Sequence, residues 1–322
     1  MATRQRQVMR MKLLGRTGLQ VPIVGIGTAF IGYVPAAAWQ DAGEVVIDTE
    51  AAAQTLAAAL AAGSTMIDTA PLYGQTKVES VIGQVLAGRP GRADGLILCT
   101  KAGRLAGGHD YSRDAILASV SQSLERLQVD HLDVVCVHDS MEYFDDVMGP
   151  GGSLAALREL RDQGVIGAIG VGCADPGETA RYVETGDFDV AVVANAWSLI
   201  NHLLLQRILP AAQRYDVGLV IATPLERGLL AVGAGGGRVQ GGRTHSDRVL
   251  DLVRRVEELC QRYQVPLLAV SLQWLTRIPQ VAAAIPGPRT AGEASTNAQA
   301  AMLPIPDELW TELDPILQEV AE

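Results

Sequence analysis

Aromatic residues are scarce in this 322-residue chain: 3 Phe, 4 Trp and 7 Tyr, together 4%. A large core must therefore rest on aliphatic side chains and close helix packing, which the frequent Ala and the 34 Gly allow. Cysteine is equally sparse. Cys99, Cys136, Cys173 and Cys260 form no CxxC pair and lie in or beside apolar runs. That is the usage of buried reduced thiols in a cytoplasmic protein, not of a disulfide framework. No Cys/His pair has ligand spacing, so a zinc site is excluded. No stretch reaches the roughly eighteen consecutive apolar residues of a membrane span. A basic excess is lacking too. Lys and Arg number 26 against 36 Asp and Glu, a net charge of -10. Such a surface repels phosphate backbones and anionic lipid, so neither nucleic acid nor membrane is an expected partner. Residues 1–11 are basic but lack an apolar core, so they read as a disordered leader rather than a secretory signal. Residues 12–322 read as one domain.

What the chain does have is 48% hydrophobic residues in a repeating pattern. A hairpin comes first, with 12–14 and 19–22 flanking the turn Gly15-Arg16-Thr17-Gly18. Eight short apolar runs follow, at 23–27, 65–68, 95–101, 132–138, 168–172, 190–195, 218–222 and 281–285. Their mostly uninterrupted apolar character suits strands covered on both faces. Helical periodicity fills the gaps, at 49–62, 77–87, 112–127, 153–163, 176–185, 203–215, 247–263 and 267–277. Two more helices follow, at 290–301 and 306–317. Ser112 reads as an N-cap and Gly164 as a C-terminal cap glycine.

Eight β-then-α units predict an α/β fold, a closed (β/α)8 TIM barrel whose base the hairpin covers. An open doubly wound sheet would need a glycine-rich turn after its first strand. Gly25-Ile26-Gly27 lacks the remaining glycine and the acidic residue of that fingerprint. Two loops stand out, 103–111 and the glycine-dense 231–244. Each reads either as an ordinary surface loop or as a flap over a ligand.

Polar residues at the C-terminal ends of barrel strands are the catalytic candidates. Three consecutive runs end in ionisable groups: Asp68 with Tyr73 close behind, then Lys101, then His138. Singly, each has an ordinary explanation as a turn cap, a turn packer, a solvated lysine or a structural histidine. Together they suit proton transfer at a carbonyl or hydroxyl oxygen. A free tyrosine has a pKa near 10, and a neighbouring ammonium is expected to lower it. Asp68 would keep Lys101 charged and aimed, and His138 would orient the substrate oxygen. The accompanying hydride must come from a cofactor.

With these residues in place, the chain resembles the aldo-keto reductase family. The resemblance is carried by Leu14-Gly15-Arg16-Thr17-Gly18-Leu19, Gly25-Ile26-Gly27-Thr28 and Ile67-Asp68-Thr69-Ala70-Pro71-Leu72-Tyr73-Gly74. It continues through Thr100-Lys101-Ala102-Gly103, Ser123-Leu124-Glu125-Arg126-Leu127, Ile169-Gly170-Val171-Gly172, Pro224-Leu225 and Ile285-Pro286-Gly287. These motifs run in family order from about residue 12 to the C-terminal helix. The resemblance implies a tetrad of Asp68, Tyr73, Lys101 and His138. It also implies NAD or NADP held along Gly27, Thr28, Asp68, Asn195, Pro224, Leu225, Ile285, Gly287, Arg289, Glu293 and Asn297. Within the family, Lys101-Ala102-Gly103-Arg104, Asp110-Tyr111-Ser112 and His138-Asp139 resemble the aldose 1-dehydrogenase branch, including L-galactose and L-fucose dehydrogenases.

The departures concern the cofactor. Gly172-Cys173 stand where many relatives carry Ser-Asn. Ala194 takes a glutamine position, with Asn195 beside it as a substitute. Ala222 stands where relatives place an aromatic, and Trp197 reads as packing. Glu293 takes the place of an arginine that binds the 2′-phosphate of NADP. A carboxylate repels phosphate and accepts from a ribose hydroxyl, so NAD is the expected cofactor, with Arg289 arguing for NADP. The expected activity is oxidation of an aldose at C1 to a lactone. The alternatives are an NADPH-dependent reductase of small aldehydes and ketones, or a cofactor-binding regulatory subunit. The expected partner is a small carbonyl or sugar, and the chain is expected to be a monomer or small homo-oligomer.

Overall fold

The computed structural model describes residues 8–34, 46–88, 95–105 and 107–320. Eight strands form the barrel: β1 Ile26–Gly27, β2 Met66–Asp68, β3 Ile97–Ala102, β4 Leu132–His138, β5 Ile166–Gly172, β6 Val190–Val193, β7 Gly218–Ile221 and β8 Val281–Ala284. They pair in sequence order, all parallel. A parallel bridge from Val24 to Ala284 closes β1 onto β8, so the sheet is a barrel. Eight helices follow the strands: α1 Thr49–Ala61, α2 Lys77–Ala87, α3 Arg113–Leu127, α4 Ser153–Asp162, α5 Pro176–Val183, α6 Ile208–Tyr215, α7 Leu267–Leu275 and α8 Ala291–Met302. Two further helices, Asp247–Arg262 and Asp307–Gln318, complete the outer layer.

Two apolar cores result from strands that alternate sides. The barrel interior holds Met66, Ile97, Cys99, Val134, Cys136, Val190, Val192, Val220 and Ile285, with Leu14 and Val21 from the hairpin plugging its base. The larger core lies between strands and helices. The hairpin pairs Met11–Leu13 with Gln20–Pro22. Gly15, at φ 49°, approaches β7 so closely that a Cβ would lie 2.3 Å from the Gly218 nitrogen. The Lys12 ammonium donates to the carbonyls of Thr276, Ile278 and Val281, and burial, then Arg10, bring its pKa to about 8.

Several boundaries differ from the sequence reading. Of the expected leader, residues 1–7 lie outside the described residues, while Met9 is buried and Met11 already pairs in the hairpin. The expected helix over 203–215 breaks into a 3-10 turn at Leu203–Leu205 and α6, because Pro210 is tolerated only in a first helical turn. β6 and β7 stop short because Asn195 and Thr223 have φ of 56° and 54°, incompatible with a strand. Ser112 caps α3 by accepting from Ala115 N, and Gly164 takes φ 74° after α4. Both long loops form short antiparallel pairs, Arg104–Leu105 with Gly108–His109 and Val239–Gln240 with Arg243–Thr244. A helix at Phe144–Met148 and a pairing of Tyr33–Val34 with Val46–Ile47 were not expected. No described helix is long and apolar enough to cross a membrane.

Candidate active site

Parallel strands deliver their C-terminal ends to one mouth, and the ionisable groups meet there. Asp68 ends β2, Lys101 lies near the end of β3 and His138 ends β4; all three are buried. The Lys101 ammonium lies 2.7 Å from each Asp68 oxygen, 2.9 Å from the Thr69 carbonyl and 3.2 Å from the Tyr73 phenol oxygen. The His138 ring stands edge-on to Tyr73, with centroids 6.0 Å apart. Thr28 donates its hydroxyl and its amide to the Asp68 carbonyl, at 2.9 and 3.0 Å, tying β1 to the same corner.

Tyr73 owes its place to an unusual turn. Gly74, Gln75 and Thr76 all have positive φ, of 56°, 53° and 74°. The Gly74 amide donates to the Tyr33 hydroxyl at 2.8 Å, and Thr76 N donates to the Pro71 carbonyl at 2.8 Å. Backbone strain of this kind persists only where surrounding contacts over-determine it.

The electrostatics correct one expectation. Lys101 was expected to lower the Tyr73 pKa on balance; burial dominates, and the phenol is pushed up to about 12, with the Lys101 ammonium offsetting only part. Burial alone would lower the Lys101 pKa, but Asp68, then Tyr73, hold it well above its ordinary value, so it stays charged. Burial, then the Lys101 and Arg104 cations, push His138 well below the usual imidazole range. A neutral imidazole has one donor and one acceptor nitrogen. Its buried Nδ1 has no partner in the described structure.

The other predicted residues ring the same mouth. Gly27 ends β1, while Pro224 and Leu225 follow β7, and Ile285, Gly287 and Arg289 follow β8. A Cβ on Gly27 would lie 2.8 Å from the Ile285 carbonyl, and one on Gly287 would lie 3.6 Å from the Gly27 carbonyl. This bare seam leads to the capped N-terminus of α8, a geometry that suits an extended anionic nucleotide. Arg289 is exposed there, with its guanidinium 5.8 Å from the Phe30 ring centroid. Asn297 is buried on α8.

Two of the residues expected to hold a cofactor have protein partners that sequence reading missed. Glu293 accepts from the Arg289 amide at 2.7 Å, and its own amide donates to the N-cap Thr290 Oγ1 at 3.1 Å, so both sides of the α8 start are tied. Asn195 donates to the Ala174 carbonyl at 3.0 Å and accepts from Arg243 at 2.8 Å, so its amide is committed within the protein. Arg243 also pairs with buried Glu226, which accepts from Ser198 at 2.7 Å. This network ties the glycine-rich loop to the β6 and β7 ends. Two arginines in that loop, Arg238 and Arg243, were the available signal. Trp197 is packing, stacked on Trp274 at 4.4 Å with its indole N–H on the Leu275 carbonyl.

Asp139 and Arg104 also stand at the mouth. Their side chains pair across the β3 and β4 ends, and Asp139 accepts from the Ala174 amide at 2.7 Å. Both residues fall in motifs that drew attention in the sequence, but neither carried an assigned role. Among the described residues, no cluster of His, Cys, Asp and Glu could hold a metal ion.

A closed barrel with a charged Lys–Asp pair behind a phenol, and a neutral imidazole across from it, is built for proton transfer at a bound oxygen. Residues 35–318 match the aldo/keto reductase family, and the chain belongs to it; it is an oxidoreductase of a family that uses nicotinamide cofactors. The chain is 29% identical to a pyridoxal 4-dehydrogenase of Microbacterium luteolum, covering 94% of this chain and 96% of that one. It is 30% identical to a D-threo-aldose 1-dehydrogenase of a Pseudomonas species, covering 92% and 94%. In fold it is similar to the holo form of an aldo-keto reductase from Bacillus halodurans, with a TM-score of 0.75 at 24% identity over 96% of both chains.

Proposed function

We propose that this protein oxidises an aldose at C1 to a lactone, with NAD as the preferred cofactor. The observation that carries the reading is the Tyr73 hydroxyl held 3.2 Å from a buried, Asp68-paired ammonium at the mouth. The Pseudomonas relative's name, D-threo-aldose 1-dehydrogenase, supports the choice of substrate.

In this reading the substrate hydroxyl lies between Tyr73 and His138. Tyr73 takes its proton, and Lys101 stabilises the phenolate that precedes the transfer. Asp68 keeps Lys101 charged and aimed. His138, neutral at working pH, donates a hydrogen bond to the same oxygen. A nicotinamide nucleotide bound along the β1–β8 seam would supply the hydride acceptor for C1. Gly27, Thr28, Ile285, Gly287, Arg289 and Asn297 would hold it along the β1–β8 seam. Pro224 and Leu225 would flank it from the β7 end. Asn195 would contribute only by exchanging its present partners. Glu293 would exclude a 2′-phosphate while it caps α8.

A second reading is reduction of small aldehydes and ketones. It is favoured by the high Tyr73 pKa, about 12, which keeps the phenol protonated and ready to donate. A steady-state screen of L-galactose, L-fucose and small carbonyls with both cofactors decides. Lactone formation from the sugars supports the first reading, and turnover of carbonyls alone supports the second. NADP(H) bound tenfold tighter than NAD(H) overturns the cofactor preference.

A further inference from the structure

We propose that Arg104 and Asp139 form a specificity pair that receives hydroxyl groups beside the reacting carbon, selecting polyhydroxylated substrates over bare aldehydes and ketones. This deepens the functional reading and rests on Tyr73 and His138 marking the reacting oxygen. It does not depend on reaction direction or cofactor.

Both residues are aimed by left-handed backbone at or just before them. Asp139 follows His138 with φ 46°. Arg104 follows Gly103, whose φ is 98° and whose Cβ, if present, would lie 2.4 Å from the Tyr111 ring. Buried Tyr111 fills that space and donates to both the His138 and Asp139 carbonyls, at 2.7 and 2.9 Å. The fold thus sets the direction of both side chains from beneath, as a ligand-facing pair requires.

The donor and acceptor pattern matches a hydroxyl. Asp139 Oδ1 is taken by the Ala174 amide, while Oδ2 pairs with Arg104 and lies 3.9 Å from His138 Nε2. The Asp139 side chain is 10% exposed and that of Arg104 26%, so the pair lies at the boundary between protein and mouth. Among the described residues Arg104 bonds only Asp139, leaving its other N–H groups for a ligand. A hydroxyl donates to the carboxylate and accepts from the guanidinium at once. A hydrocarbon chain in the same place covers the pair and returns no hydrogen bond, a loss that polar sites use for discrimination.

Arg104 pairs in its hairpin with His109, whose ring stacks on Tyr143 at 5.5 Å. That stack lines a groove of about 460 Å³ together with Asp145 and Asp146. Neither the reacting residues nor Arg104 and Asp139 line this groove, so the pair's selectivity rests on its own donors and acceptors.

The test compares glyceraldehyde with propanal, a pair matched in length and differing in hydroxyls. kcat/KM is measured for wild type, Asp139→Asn and Arg104→Met. Wild type should favour glyceraldehyde, and each variant should lower that ratio about tenfold to a hundredfold, chiefly through KM. A ratio unchanged in both variants overturns the inference. If wild type turns over neither compound nor any sugar, the functional reading fails instead. Saturation-transfer NMR of L-galactose then decides the pair. Binding lost in the variants supports it; binding absent from wild type or equal in all three overturns it.

Discussion

Lys101 and Asp68 form a fully internal ion pair, with the ammonium 2.7 Å from both carboxylate oxygens and the two side chains 3% and 5% exposed. Removing one partner strands a buried charge. Lys101→Met should cost about 3–5 kcal/mol of unfolding free energy by denaturant titration. Adding Asp68→Asn should recover part of that stability, because the stranded charge goes, but none of the turnover. Recovery of turnover in the double variant would refute the proposed role of Lys101.

Tyr73→Phe should lower turnover by about two to four orders of magnitude while cofactor affinity stays nearly constant. The phenol's pKa in the folded protein, about 12, lies above its unfolded value near 10. The folded state therefore holds the proton more tightly. The associated stability is complete below pH ~10 and is lost as pH rises toward ~12. Thermal melts across that window should fall more steeply for wild type than for Tyr73→Phe. Turnover in the oxidative direction should rise with alkaline pH, since it needs the phenolate.

His138 has the opposite sign. Its folded pKa lies well below the unfolded value of about 6.5, so its contribution to stability is present above pH ~6.5 and is lost as pH falls further. His138→Gln should flatten the acid side of the melting profile. An acid limb as steep as that of wild type would show that other groups carry it.

Gly103→Ala meets two obstacles, a φ of 98° and the Tyr111 ring 2.4 Å from the new methyl. Destabilisation of about 1–3 kcal/mol is expected from chemical denaturation. Turnover should fall as well, because Tyr111 holds the His138 carbonyl.

Glu293→Lys replaces a carboxylate with a cation at the N-terminus of α8. The ratio of NADP to NAD affinity should rise about tenfold or more by fluorescence titration. The same change removes the carboxylate that accepts from the Arg289 amide before α8, so a loss of about 1 kcal/mol of stability should accompany it. An unchanged affinity ratio would assign Glu293 to capping alone.

Much of this was legible in the residue order. The mostly apolar run Leu132–His138 matches its strand to the residue, because a strand covered on both faces buries nearly every side chain. Helix ends at Ser112 and Gly164 follow from cap chemistry written in single residues. The break before Ile208 is readable in Pro210, which helical periodicity alone does not register. The gathering of Asp68, Tyr73, Lys101 and His138 also followed from sequence, once parallel strands were inferred, since their ends must share a face.

Other features depend on contacts between distant segments. The sign of the Tyr73 shift is one: residue types name the ammonium, but burial outweighs it, and burial is a property of the packed barrel. The commitments of Asn195 to Arg243 and of Asp139 to Arg104 are others, each joining separate loops across the mouth. Local pattern encodes backbone preference and which face is apolar, so architecture and the catalytic candidates could be read directly. Desolvation and long-range pairing exist only after the chain closes on itself, and they set the charge states and partners at the mouth.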